Sequence, residues 1–388
     1  MEQATSKKGK VINNNGNIPH DVALRIVSRL PVKSLKRFGC VHTSWSNLLE
    51  NPEFVSMYFQ NLFSKKDDDS MILLCQQVSE SLPNLLLISG DRFEKRVKLD
   101  LPLPCLEEDV EYIAVLDYCD NGTIGLVRRK HPFGDQNVVL CNPTTKEFRV
   151  IPSGLSKLQG ISFSFLVHAP GFWYDHVNDD YKLLQHAACF VAASKVTDYF
   201  WQIYSLKRKS WKKLDLDRVS PSQICKPMGS MVNMNGSLHW WGTMHYDIGT
   251  KKDLLISFDK SKETFHTTPI DCRTDSYSVN RYLTVFNGSI AVISNYPKTN
   301  LLNISILGEI GVKESWTKIF TIGPFPCFEM SIFVGNKGDV FFVKGDGELC
   351  CFDLRTQMSK AIGIRGAKDN FKILTYKESF LPFGGINY

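Results

Sequence analysis

The chain has 388 residues, of which 43% are hydrophobic and 22% charged, and its formal net charge is +6. This composition is typical of a globular protein, and so modest a charge does not indicate nucleic-acid binding. No apolar run is long enough to span a bilayer, so we expect no membrane partner.

The N-terminal residues 1–16 have no apolar core of the kind that a secretory signal needs. They are predicted to be a disordered, mildly basic tail. The eleven cysteines have no metal-ligand spacing, and without a signal they indicate free thiols in a reducing compartment. We therefore expect a cytoplasmic and/or nuclear protein.

Residues 17–60 are predicted to form three short helices, followed by a charged linker at 61–70. Four apolar side chains of the first helix are predicted to share one face, namely Val22, Ile26, Val27 and Leu30. A unit of about 40 residues is too small to bury its apolar side chains by itself. Its exposed face either packs on the rest of the chain, as an ordinary helical cap does, or docks a partner, and the pattern favours docking.

The same segment resembles the F-box, whose motifs appear in order as Ile18-Pro19-His20-Asp21, Ile26-Val27, Leu30-Pro31-Val32-Lys33-Ser34-Leu35, Cys40-Val41, Trp45 and Phe54. The resemblance implies that the segment binds a Skp-type adaptor and, through it, a cullin–RING ubiquitin ligase. The adaptor-binding residues that the F-box motif implies are Ile18, Pro19, Val22, Ile26, Val27, Leu30, Pro31, Val32 and Leu35.

Beyond residue 70 the pattern predicts an all-β domain over 71–388. Short segments rich in β-formers predict strands at Met71–Cys75, Leu85–Ile88, Val138–Cys141, Leu254–Phe258, Ile290–Ser294 and Asp339–Val343. Asn-x-Ser/Thr sequences at 121, 235, 287 and 303 are interpreted as turns rather than glycosylation sites.

An Asn-rich turn and an aromatic residue that opens a last strand recur every 45 to 55 residues or so, which is the size of a four-stranded propeller blade. The whole chain is therefore predicted to be mainly β with a small α module, its propeller having about six or seven blades. A pair of β-sandwiches is the alternative, although it would not require this period.

The β-domain resembles the F-box-associated domain of plant F-box proteins, a group that includes S-locus and defence-related members and binds target proteins. Its matching motifs include LCNPTTKEFRVIP, GFWYDHVNDDYKLL, MNGSLHWWG and ISFDKSKETFHTTP. The family usually has glycine where this chain has Trp173, which is expected to change local packing or a surface.

The sequence contains no Gly-x-Ser-x-Gly motif of a hydrolase, no Gly-x-x-x-x-Gly-Lys phosphate-binding loop and no His-Glu-x-x-His motif of a zinc peptidase. Neither an enzyme activity nor a cofactor is therefore predicted. His239 and His245 could share a zinc ion, but a hairpin explains them better. Asp175, Asp179 and Asp180 could bind calcium, but Asp and Asn are also common in turns.

Two surface candidates remain. The basic run from Lys207 to Lys213 suits a nuclear import signal or an acidic substrate, although a solvated hairpin turn is the favoured interpretation. Trp240 and Trp241 alternate in a predicted strand, so one ring can pack between blades while the other anchors a target protein. Burial of both rings is the alternative.

These features predict a non-catalytic substrate receptor of a Skp–cullin–F-box ubiquitin ligase, with an unknown protein as its target. The rival interpretation is a propeller that binds a small ligand or acts as an enzyme, with an incidental helical cap. A third is an adaptor-bound scaffold that acts outside ubiquitination.

Overall fold

The structure is a computed structural model. It confirms the predicted fold class, which is mainly β with a small α module. It describes residues 18–30, 34–35, 37, 48, 51, 53–54, 57–58, 71–76, 83–90, 93–100, 112–129, 136–154, 163–191, 196–215, 226–247, 250–270, 279–286, 288–296, 298–324, 328–334, 339–354, 356–366, 371–379 and 383. The predicted tail at 1–16 and linker at 61–70 lie outside these residues.

Six four-stranded antiparallel sheets form the blades of a propeller. Blade 1 contains β1 (Met71–Gln76), β2 (Asn84–Ser89), β3 (Lys95–Leu99) and the last strand of the chain, β24 (Phe371–Tyr376). Blade 2 contains β4 (Tyr112–Asp120), β5 (Thr123–Arg129), β6 (Gln136–Asn142) and β7 (Glu147–Ile151). Blade 3 contains β8 (Phe163–Asp175), β9 (Asp180–Val191), β10 (Val196–Ser205) and β11 (Ser210–Lys213).

The remaining blades follow the same order. Blade 4 contains β12 (Lys226–Met234), β13 (Ser237–Asp247), β14 (Thr250–Asp259) and β15 (Thr264–Pro269). Blade 5 contains β16 (Asn280–Phe286), β17 (Ser289–Tyr296), β18 (Leu301–Leu307) and β19 (Trp316–Ile322), with a single 3-10 turn at Lys313–Ser315. Blade 6 contains β20 (Phe328–Val334), β21 (Asp339–Lys344), β22 (Glu348–Asp353) and β23 (Met358–Arg365). The six strands predicted above all lie within these elements.

The ring closes through the two ends of the β-domain. Strand β24 pairs antiparallel with β1 over six residues, from Met71 opposite Tyr376 to Gln76 opposite Phe371. The C-terminal strand therefore supplies the innermost strand of blade 1. This pairing gives β1 a neighbouring strand on each side.

Asparagine–glycine turns join the first two strands of blades 2 and 4, whereas Asn287 of the third predicted turn lies outside the described residues. Asn121 and Gly122 have φ of 47° and 72°, and Asn235 and Gly236 have φ of 50° and 76°. These left-handed angles suit Asn and Gly and match the twist of a two-residue hairpin. The turn interpretation is correct at these two sites, but it is wrong for Asn303, which lies inside β18 and accepts a hydrogen bond from Thr321 at 2.8 Å.

Each blade is buried on both of its faces. Leu73 packs with residues of blade 2, whereas its neighbour Leu74 packs with residues of blade 6, and both are at most 1% exposed. In the same way, Cys350 packs with residues of blade 5, whereas Cys351 packs with residues of blade 1. The thiols of the cysteines at 75, 119, 141, 350 and 351 form no disulfide bond.

The recurring aromatic residues open the outermost strands, as predicted. The Nε1 of Trp211 in blade 3 donates to the carbonyl oxygen of Pro152 at 3.1 Å, just after the outer strand of blade 2. Trp316 in blade 5 makes the same bond to Pro269 of blade 4 at 3.0 Å. At these two positions the aromatic residue therefore joins neighbouring blades at their outer edges.

Candidate functional site

The first helix, α1 (His20–Val27), begins after Pro19, whose φ of −52° and ψ of 142° lead the chain into the helix. Asp21 lies in the first turn, where a negative charge is stabilised by the helix dipole. The amide of Ser28 bonds to the carbonyl oxygen of Leu24 at 2.8 Å, and the helix ends there. Its eight residues cannot form a stable helix in isolation, so tertiary packing must hold it.

One apolar stripe of α1 and the residues before it is open to solvent. Ile18, Val22 and Ile26 are spaced four residues apart, so they lie on the same side. Their exposed fractions are 60%, 40% and 52%. Contiguous exposed apolar side chains at helical spacing are typical of a surface that binds another protein.

A second apolar stripe of the same segment packs on the propeller. Val27 and Leu35 are 3% and 5% exposed and belong to one cluster with residues of blades 5 and 6. Phe54 and Tyr58 are each 1% exposed in that cluster, and the rings of Tyr58 and Phe320 lie 5.8 Å apart. The helical segment is therefore fixed to the side of the propeller.

The two tryptophans predicted as target anchors do not lie open. Trp240 is 1% exposed and its ring lies 5.2 Å from that of Trp201 in blade 3, so the proposed target contact for Trp240 is wrong. Trp241 is half-buried on the opposite face of β13, where its neighbour Thr243 bonds to Asp253 at 2.9 Å. Both faces of a propeller blade are covered by other blades, so alternation along the strand releases neither ring.

His239 is a buried, neutral residue. Its Nδ1 lies 2.8 Å from the hydroxyl of Ser257 and its Nε2 lies 3.3 Å from the carbonyl oxygen of Met234. Burial lowers the pKa of the imidazole to about 4. Both ring nitrogens are taken up by protein groups, which favours the hairpin interpretation over zinc; the side chain of His245 lies outside the described residues.

Acid is expected to destabilise the protein through His239. In the unfolded chain its pKa returns to about 6.5, so its contribution is complete above that value and is lost as the pH falls toward 4. Between pH 7 and pH 5 the wild type should lose about 2 kcal/mol more unfolding free energy than a His239→Gln variant. Urea unfolding of both proteins at the two pH values measures this difference. Equal losses would contradict a buried neutral imidazole.

The acidic residues at 175–180 form the turn between β8 and β9. Asp175 accepts hydrogen bonds from the amides of Val177 and Asn178 at 3.1 and 3.3 Å, and its other oxygen lies 2.7 Å from the Nζ of Lys182. Asp180 accepts from the hydroxyl of Ser205 at 2.6 Å. These carboxylates are satisfied by the turn and by the strands beside it, and no group of three or more possible metal ligands occurs among the residues described.

The basic run lies at the hairpin between β10 and β11, as the favoured interpretation predicted. Lys207 and Arg208 are exposed, and Lys209 has a φ of 52°. Lys212 pairs at 2.5 Å with Glu263 of blade 4. The run also lines a groove of about 850 Å³ between blades 3 and 4.

Two known domain families match the sequence of this chain. Residues 92–383 match the F-box associated beta propeller domain, and residues 16–57 match the F-box domain. The chain belongs to the F-box proteins with an F-box associated propeller domain. Within the described part of the chain, no helix has both the length and the apolar character needed to cross a membrane.

Curated plant proteins are similar over most of this chain. The F-box protein CPR1 of Arabidopsis thaliana is 23% identical over 377 residues, which are 91% of this chain and 86% of that protein. An F-box/kelch-repeat protein of the same plant is 26% identical, covering 82% of this chain and 83% of its own length. F-box only protein 8 is 28% identical, covering 65% and 80%.

The structure divides the predicted adaptor-binding positions of the F-box into two groups. Pro19 is exposed beside the open stripe, whereas Leu30 is half-buried against the propeller cluster beside Val27 and Leu35. The single face predicted for α1 is thus two faces, one open and one covered by blades 5 and 6. Pro31 and Val32 lie outside the described residues.

A polar network that the sequence did not indicate links the axis of the propeller to the groove. Asn233 donates to the hydroxyl of Tyr118 at 2.8 Å and accepts from the Nζ of Lys260 at 2.9 Å. Tyr118 donates to Asp120 at 3.1 Å, and burial raises the pKa of both groups. These residues come from blades 2 and 4, far apart in sequence, and no local pattern marks them.

Proposed function

We propose that this F-box protein is the substrate-recognition subunit of a Skp–cullin–F-box ubiquitin ligase. The F-box binds the Skp-type adaptor, and the propeller binds a target protein. Transfer of ubiquitin is done by the partner RING and conjugating enzymes, and this chain contributes proximity by holding the target near them. The match to both domain families supports this role.

The observation that carries the proposal is the open stripe of Ile18, Val22 and Ile26. The opposite side of the same helix packs on blades 5 and 6, so the propeller already holds the segment. The open stripe is therefore not needed to hold α1 on the propeller. An adaptor would cover it and remove its apolar area from water, at about 25 cal/mol per Å².

The adaptor interface is tested by a double variant, Val22→Glu with Ile26→Glu. Both side chains are exposed, so the free protein should keep its fold, while two carboxylates would have to be buried in the complex. Adaptor binding should weaken by about 100-fold or more, because each buried unpaired charge costs at least about 1 to 3 kcal/mol. Calorimetry with purified Skp-type adaptor measures the change.

A matched control places the same two charges on the propeller. Val97 and Met358 are 58% and 67% exposed on outer strands, and Val97→Glu with Met358→Glu should bind the adaptor as the wild type does. Full adaptor binding by the α1 variant would refute the interface. Ubiquitination of a bound target in a reconstituted ligase then separates a receptor from an adaptor-bound scaffold.

The rival function, a small-ligand binder or an enzyme, would use the axial cavity of the propeller. This cavity measures about 470 Å³ and is lined from strands of blades 1, 2, 4, 5 and 6. Its described lining is mainly apolar, hydroxyl and amide groups, with Lys377 as the charged residue. No convergent set of Asp, His or Arg side chains lines it among these residues, so no observation here favours the rival.

A further inference from the structure

The groove between blades 3 and 4 is walled by four turns on one end of the propeller. They are the turns that follow β8, β10, β12 and β14. The groove measures about 850 Å³, larger than the axial cavity of about 470 Å³. Turns on a rigid β scaffold are a common place for binding residues, because loops vary without disturbing the core.

The carboxylates in this groove are already engaged by donors of the chain itself. Asp175 and Glu263 pair with Lys182 and Lys212 at 2.7 and 2.5 Å. Asp259 accepts from the amides of Ser261 and Lys262 at 2.9 and 3.0 Å, and Asp180 from the amide of Lys207 at 2.8 Å. Each of these four carboxylates therefore already has a donor of the chain itself, from its own turn or from a neighbouring strand or turn.

The cations of the groove keep donors to offer. Lys207 donates one N–H to the carbonyl oxygen of Asn178 at 3.0 Å, and an ammonium group has three such donors. The guanidinium of Arg208 makes no hydrogen bond among the described residues, where only its backbone amide bonds, to Ser205 at 3.0 Å. Lys260 lines the opposite wall, and its ammonium group donates one N–H to Asn233 at 2.9 Å. Lys207 and Arg208 are exposed, whereas Asp175, Asp259 and Glu263 are half-buried and Asp180 is buried, so the cations are the charges that the groove presents to a ligand.

The floor and rim of the groove are apolar. Trp173 and Ile203 line it at 2% and 4% exposure, and the Trp173 ring lies 6.0 Å from that of Phe258. Val177 at the rim is 93% exposed. The Trp173 indole therefore forms part of the apolar floor of the groove.

We propose that this groove binds an acidic segment of the target protein, with Lys207, Arg208 and Lys260 facing its carboxylates. The inference rests on the proposed function, since it names the target-binding site of the same receptor. Charge complementarity across a solvated groove mainly sets specificity and the rate of association, and it weakens with salt. The groove lies on blades 3 and 4, whereas the F-box packs on blades 5 and 6, so adaptor and target can be bound together.

The test uses the full-length chain and a fluorescein-labelled decapeptide of alternating Asp and Glu. Fluorescence anisotropy at about 50 mM salt should show binding that weakens at about 200 mM. Lys207→Glu with Arg208→Glu should weaken it at least tenfold. A control, Lys95→Glu with Lys98→Glu, makes the same change in net charge at exposed positions of β3 in blade 1 and should change the affinity less than twofold.

Two results would overturn the groove assignment. One is an equal loss in both charge-reversed variants, which would mean diffuse attraction to a basic protein. The other is a wild-type affinity for the acidic decapeptide no higher than for a Gly-Ser decapeptide. Adaptor binding is measured on the same proteins and should be unchanged in the charge-reversed variants. A wild-type chain that does not bind the adaptor would count against the receptor role and not against the groove.

Discussion

A chain that ends at Asn370 is expected to lose the folded propeller altogether. It lacks β24, the innermost strand of blade 1, which bonds to β1 over six residues. Four side chains of β24 are at most 6% exposed, namely Phe371, Ile373, Leu374 and Tyr376. Burying each stabilises the fold by about 1.5 to 3 kcal/mol, so together they approach the whole stability of a typical domain, about 5 to 15 kcal/mol.

A chain that ends at Phe383 is the control for this truncation. It keeps β24 and the bond from Asn142 to the carbonyl oxygen of Ser379 at 2.9 Å, and it keeps Phe383, which packs 5.1 Å from Tyr181. Near-ultraviolet circular dichroism and thermal unfolding compare the two. The shorter chain should give no cooperative transition, and the longer chain should melt within a few degrees of the wild type. A cooperative melt of the shorter chain would show that β1 does not need β24.

The sequence predicted the repeat but not how the ring closes. Asn121 and Asn235 recur because blades 2 and 4 make the same local hairpin. Trp211 and Trp316 recur because each donates a hydrogen bond to the blade before its own. These are local constraints, so they appear in the sequence. The pairing of β24 with β1 joins the two ends of the domain, and no local pattern records it. The length of the domain divided by the repeat period predicts six or seven blades, and the structure has six.

The candidate sites show a second limit of sequence patterns. The apolar spacing of α1 predicts one face for Val22, Ile26 and Val27, but only the fold decides that blades 5 and 6 cover Val27 and leave Val22 and Ile26 open. Trp240 failed as an anchor because the alternation argument assumes one solvated face. In a propeller, only strand ends, turns and outer strands remain open.

The contact between the F-box and the propeller has a consequence for the proposed receptor. The predicted linker at 61–70 would by itself allow the two domains to move independently. The packing of Phe54 and Tyr58 against the cluster that contains Phe320 instead holds the F-box to blades 5 and 6. A target in the groove of blades 3 and 4 would thus be held at a fixed distance from the adaptor. Fixed geometry favours transfer to lysines that lie within reach of the ligase.

The second large effect is expected at the junction of blades 4 and 5, where Arg281 pairs with Asp253. Their side chains are 5% and 7% exposed, and Thr243 also donates to Asp253 at 2.9 Å. Arg281→Ala would leave a buried carboxylate without its cation. Removing one partner of a buried pair typically destabilises by about 3 to 5 kcal/mol, so urea unfolding should show a midpoint far below that of the wild type.

The exposed pair between Lys212 and Glu263 is the matched control, because it also joins neighbouring blades and its lysine is 68% exposed. Lys212→Ala should lower the unfolding free energy by less than about 1 kcal/mol. The double variant Arg281→Met with Asp253→Leu removes both buried charges and should be more stable than Arg281→Ala, since the penalty comes from the unpaired carboxylate. If Arg281→Ala is no less stable than Lys212→Ala, the buried pair does not hold blades 4 and 5 together.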